Sequence, residues 1–414
     1  MTASTPNPSY ASILALPSVK FIFGSALAGR FAYALAGLPL LLSVQSATGS
    51  FGAAGLAMGV FGATVAFLAP LRARIIDRFG RRRTLPPFAI AFALGLLALA
   101  AGTSQTSSVL LCVFLSGVVG AVAPPLGPSM RVLWAQLTPT PAHLRKALSL
   151  DAVLEELLYL GGPALAGFLL LLISPSATLL IPAALVVFGA LAMVTPAAAK
   201  ENIPAPSPRE SPTGKPARER SLLSQGLFLT LLIPVLAAGL VVGAVYVVVP
   251  AALAGPGTEG AIGIVLAAFA AGSAIGGLLY ARTRFTASPQ LQLLMLATAL
   301  AGGAAAIAVM AGSAVGLGVI LLATGLFLSP IMIVGYFAAS GFGGAHRQTM
   351  ATTWVNTSHN LGAAAGSVVA GIVIEAAGPA ESILATAALA AVLILASALI
   401  LVGAHRIRFP VTSA

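Results

Sequence analysis

Residues 73–83 read Ala73-Arg-Ile-Ile-Asp77-Arg78-Phe-Gly80-Arg81-Arg82-Arg83. The stretch lies between two long apolar runs and sets one acid, Asp77, amid six arginines once Arg72 and Arg74 are counted. Short loops rich in Lys and Arg stay on the cytoplasmic side of a membrane, so such a cluster fixes the orientation of its neighbours. Working outward, the other cations follow the same alternation. Lys20, Arg131 to Lys146, Lys200 to Arg220, Arg282, Arg284, Arg347, Arg406 and Arg408 fall on one side, which gathers twenty of the 21 Lys and Arg there. The opposite loops hold Glu259, Glu375 and Glu381, and Arg30 alone is placed in mid-helix.

Composition agrees. With 58% apolar residues, 7% charged residues and a mean hydropathy of +1.02, the chain carries more apolar surface than one soluble core can hide. Its net charge of +11 belongs to loops facing anionic headgroups, and no interleaved aromatic and basic surface points to nucleic acid. The single Cys112 lies within an apolar run, which excludes an internal disulfide and reads as packing. Residues 1–18 lack a charged region followed by an apolar run and a cleavage site, so they read as a cytoplasmic tail.

A span needs about 20 apolar residues. Runs of that length predict twelve spans near 19–45, 52–71, 85–103, 107–133, 147–173, 177–196, 222–250, 260–281, 290–311, 314–339, 349–374 and 382–404. Their uniform apolarity excludes barrel strands and leaves helices. Residues 197–221, with five prolines and both signs of charge, read as a cytoplasmic linker between six-helix bundles at 19–196 and 222–404, with a tail at 405–414. The halves repeat at an offset of 204 residues, which sets Ala73, Arg78, Gly162 and Gly167 on Gly277, Arg282, Gly366 and Gly371. Two parallel repeats of six helices are a transporter layout.

The run at 73–83 resembles motif A of the major facilitator superfamily, with Ala73 in the place of its first glycine and the Asp77-Arg78-x-Gly80-Arg81-Arg82-Arg83 core intact. The resemblance implies an all-α fold of twelve transmembrane helices in two pseudo-symmetric bundles, with Asp77, Arg78, Gly80, Arg81 and Arg82 forming a cytoplasmic gate that latches when the transporter opens outward. Ala281 stands where the second half would carry the acid. Gly162-Pro163-x-x-Ala166-Gly167 is similar to the family's motif C, which implies proton-coupled export; a proline kink with small packing residues is the structural alternative.

Acids inside spans are functional by default, because a buried carboxylate is costly unless protonated or paired. Glu155 and Glu156 lie about two turns into the fifth span, about 100° apart around the helix, so they cannot share one partner. Arg30 is the intramembrane cation available to them, either as a static pair or as a partner that a substrate displaces while the glutamate takes a proton. Asp151 is expected to pair with Arg131 or Arg145. The offset sets His359 and Asn360 opposite Glu155 and Glu156; His359 is a second proton-site candidate, and Asn356 and Asn360 share a face fit for a polar ligand. Tyr33, Tyr159, Tyr246 and Tyr336 are candidate cavity or packing residues. The chain is therefore expected to be no enzyme and to need no cofactor or metal.

The expected function is export of a small organic molecule by proton antiport with alternating access, as in bacterial exporters of actinobacterial type. Uptake or facilitated diffusion of a sugar or other polar metabolite is the alternative, and a membrane sensor or scaffold is disfavoured by the lack of a signalling domain. Expected partners are substrate, protons and lipid. The expected setting is a monomer in the bacterial cytoplasmic membrane with both termini inside.

Overall fold

The computed structural model describes residues 9–105, 108–194, 222–255, 257–283, 286–310, 313–342 and 348–408. The expected linker at 197–221, together with Arg284, Arg347 and the ends of both tails, lies outside the described residues. The first half comprises α1 (Tyr10–Leu14), α2 (Val19–Thr48), α3 (Phe51–Phe79), α4 (Arg81–Gly102), α5 (Val109–Ala121), α6 (Leu126–Leu137), α7 (Pro141–Leu170), α8 (Pro175–Thr178) and α9 (Leu180–Ala192). The second comprises α10 (Gly226–Ala252), α11 (Glu259–Arg282), α12 (Pro289–Ile307), α13 (Ala314–Gly325), α14 (Leu328–Ser340), α15 (Gln348–Ala377) and α16 (Pro379–Arg408). Among the described residues these helices supply twelve stretches long and apolar enough to cross a membrane.

The quoted stretch is less of a loop than its charge implied. α3 continues through Arg72, Asp77 and Arg78 to Phe79, and α4 starts at Arg81. Gly80 alone joins them, at φ 80° and ψ 147°, a conformation open to glycine and strained for any residue with a Cβ.

The fourth span also departs from the uniform helix expected over 107–133. It stops at Ala121 and restarts at Leu126, because Pro124 and Pro125 lack the N–H groups a continuous helix needs. Irregular backbone at membrane depth persists only where its polar groups find partners. Here Arg72 Nη1 donates to the carbonyls of Gly120 and Ala121, each at 3.0 Å, and Nη2 donates to that of Val65 at 2.6 Å. The Tyr33 hydroxyl donates to the Pro124 carbonyl at 2.6 Å. Arg72, expected in a cytoplasmic loop, is thus 4% exposed and clamps the break, with the carbonyl end of α5 compensating its charge. The tenth span breaks in the matching place, between α13 and α14, where the Ser273 and Ser329 hydroxyls meet at 2.7 Å.

The halves meet at the end of the bundle remote from the termini, through glycines that let backbones touch. A Cβ on Gly55 of α3 would lie 3.0 Å from the Gly371 Cα of α15, and one on Gly167 of α7 would lie 2.7 Å from the Gly263 Cα of α11. These two crossings are related by the pseudo-twofold, and they correct the repeat. Gly167 and Gly371 stand 204 residues apart, but Gly55 and Gly263 stand 208 apart, since the second half is four residues shorter between its crossings. Gly277 therefore answers to Ala69, Arg282 to Arg74 and Ala281 to Ala73; the position answering to Asp77 is residue 285, outside the described residues.

Candidate functional site

Four charged side chains converge on the inner wall of the first half. Arg30 projects from α2 and is 5% exposed. Its Nη1 donates to Asp151 Oδ1 at 2.6 Å, and its Nη2 lies 2.7 Å from Glu155 Oε2. The same Glu155 oxygen accepts from Arg131 Nη2 of α6 at 3.0 Å. Burial is graded across the group: the Asp151 side chain is 2% exposed, Glu155 25% and Arg131 53%. One end is locked in the protein, while the other reaches solvent between the halves.

Two expectations are corrected here. Asp151 pairs with Arg30, not with Arg131 or Arg145, because four residues separate it from Glu155 and both carboxylates face α2. Arg131 is no loop anchor. It stands on α6 beyond the proline break, where the restarted helix turns it toward Glu155. Arg30 therefore shares Glu155 with a second intramembrane cation. The Glu156 side chain lies outside the described residues.

The second half contributes from across the gap. Tyr336 of α14 lies within coulombic range of Arg131 and Glu155, and its hydroxyl points to Asn356 Oδ1 of α15 at 3.5 Å. Asn360 is half-buried, and neither it nor His359 has a described hydrogen bond or ion pair to the Arg30 group. The His359 carbonyl packs on Gly239 of α10, while the Nδ1 atom is buried with no hydrogen-bond partner among the described residues. Tyr33 and Tyr246 are half-buried and pack against the core, Tyr33 edge-on to Phe92 at 5.5 Å.

The motif A residues stand apart from this site. Ala73, Asp77, Arg78, Gly80 and Arg82 are exposed, Arg78 lies over the Phe79 ring at 5.2 Å, and Asp77 has no hydrogen bond or ion pair with a described residue. At the opposite end, Glu375 of α15 accepts the Gly52 N–H of α3 at 3.0 Å, capping a helix of one half with a carboxylate of the other. Glu375, expected in a loop, stands instead in the last turn of α15, and the exposed N–H groups that open α3 are the signal for its partner. The motif C-like residues serve packing. Gly162 rests on Ala34 of α2, Ala166 is fully buried, and both the Pro163 carbonyl and Gly167 meet Gly263.

Twelve spans in two related halves, broken fourth and tenth spans and charges facing an open gap define a transporter fold. The sequence matches the family model of the Major Facilitator Superfamily over residues 21–255, more than half the chain, and the protein belongs to that superfamily of transporters, which are not enzymes. Its fold is similar to that of the nucleoside transporter NupG in a point-mutant form, at 15% identity and TM-score 0.67, covering 92% of this chain and 99% of that one. It is likewise similar to an auto inhibited POT family peptide transporter, at 17% identity and TM-score 0.66, covering 92% and 96%. A POT family transporter in complex with 5-aminolevulinic acid gives 14% identity and TM-score 0.65, covering 94% and 96%. No curated protein matches the sequence.

Proposed function

We propose that the protein exports a small organic molecule across the bacterial cytoplasmic membrane in exchange for protons, as a monomer with both termini inside. The observation that supports this most is Glu155, one quarter exposed and held between Arg30 and Arg131 where the halves part. Export needs substrate and proton to compete for one group, and Glu155 is the group both can reach. Glu155→Gln is expected to retain substrate exchange and to lose gradient-driven accumulation in inverted vesicles, by tenfold or more. Undiminished accumulation would remove Glu155 from coupling, and accumulation in right-side-out vesicles would establish uptake instead.

The halves touch at the far end and the charged site opens toward the termini, which in this orientation is the inward-open state. Glu375 then closes the outer face, and Asp77, implied by motif A to latch the inner face, is released. Opposite shifts follow. Glu375→Ala is expected to move the population toward outward-open and Asp77→Asn to hold it inward-open, since a few kcal/mol of bias changes the dominant state. Double electron–electron resonance distances across each face would read both; distributions unchanged from wild type in either variant would dismiss that latch.

A further inference from the structure

We propose that the polar end of the substrate is neutral and bears a hydroxyl, and that it seats over Gly127 between Arg30 Nε and Glu155 Oε1. This rests on the reading of the Arg30 group as the transport site. Gly127 stands in the first turn of α6, directly after the proline break. A Cβ built there would lie 3.8 Å from Arg30 Nε and 3.8 Å from Glu155 Oε1, so the absent side chain leaves room beside both atoms at once. Arg30 Nε has no hydrogen-bond partner among the described residues, although the residue is 5% exposed. A buried donor beside such a niche calls for an acceptor.

Charge decides what kind of acceptor. Arg30 and Arg131 are balanced by Asp151 and Glu155, so with both carboxylates ionised the group has no net charge to draw an ion out of water. A ligand carboxylate over Gly127 would be set against Glu155, and a ligand ammonium against Arg30, each a like-charge contact at short range. A hydroxyl meets neither penalty. It accepts from Arg30 Nε–H through its oxygen and donates its proton to Glu155 Oε1.

Three probes that differ only at carbon 6 test this: phenyl β-glucoside, which carries a hydroxyl there, its glucuronide, which carries a carboxylate, and its 6-amino-6-deoxy counterpart, which carries an ammonium. Isothermal titration on the purified full chain in nanodiscs, without a proton gradient, is expected to show binding of the glucoside at least tenfold tighter than of either ionised probe. Gly127→Ala is expected to weaken glucoside binding at least tenfold with an unchanged melting temperature, because the added methyl meets nothing nearer than 3.8 Å yet fills the niche. Equal or tighter binding of an ionised probe, no binding of the glucoside, or wild-type affinity in Gly127→Ala would overturn the proposal. Glucoside that binds as expected but is not moved by a proton gradient would leave the niche standing and refute proton-coupled export.

Discussion

Arg30→Ala is expected to be the most damaging single substitution in the chain. It strands Asp151, 2% exposed, as an unpaired carboxylate inside the bundle and leaves Glu155 to Arg131 alone. Breaking a buried pair from one side costs about 3–5 kcal/mol, whereas removing both partners is often close to neutral. The double variant Arg30→Leu with Asp151→Leu is therefore expected to recover most of the lost melting temperature. Transport separates structure from coupling. If Arg30 also exchanges Glu155 for substrate, the double variant folds but does not accumulate substrate against a proton gradient; full proton-driven activity in it would reduce Arg30 to helix packing.

The second large effect is expected at Arg72. Its guanidinium serves three carbonyls around the break in the fourth span, and Arg72→Leu leaves all three without it in a region that water reaches poorly. The Gly120 carbonyl keeps a 3.4 Å bond from the Ala123 N–H and the Val65 carbonyl its place within α3, so the loss falls mainly on Ala121 and is expected to be about 1–3 kcal/mol, the cost of an unsatisfied buried polar group. Arg72→Lys should recover part of it, since an ammonium donates but cannot span three acceptors with a planar fork. Thermal unfolding of the purified variants in one detergent gives the comparison. An Arg72→Leu protein as stable as wild type would mean that the break holds itself.

Much of the architecture was legible because a bilayer imposes one length on every span and one location on most cations. The twelve spans, the two halves and the approach of Arg30 to Glu155 follow from those constraints. What failed was resolution within them. Adjacency to other cations makes Arg72 and Arg131 read as loop residues, although each lies on a helix, Arg72 where α3 runs on past its apolar window and Arg131 within the restarted α6. The adjacent acids Glu155 and Glu156 mask the pairing of Asp151, although its spacing of four from Glu155 is the pattern that aligns two side chains on one helix face. Pro124-Pro125 announced the broken fourth span, but apolarity alone does not distinguish a continuous helix from two short ones. The repeat offset drifted from 204 to 208 because helix crossings are conserved in space and connector lengths are not.

The protein also carries its own silent sulfhydryl. Cys112, the single cysteine of the chain, sits on α5 at 1% exposure. A thiol shielded to that degree does not meet maleimides or methanethiosulfonates while the first bundle stays folded. Spin labels or fluorophores can therefore be placed on engineered pairs in the otherwise unmodified chain. When the bundle opens, the same thiol becomes reactive, so the rate at which it is alkylated on heating times the unfolding of the half that holds Arg30.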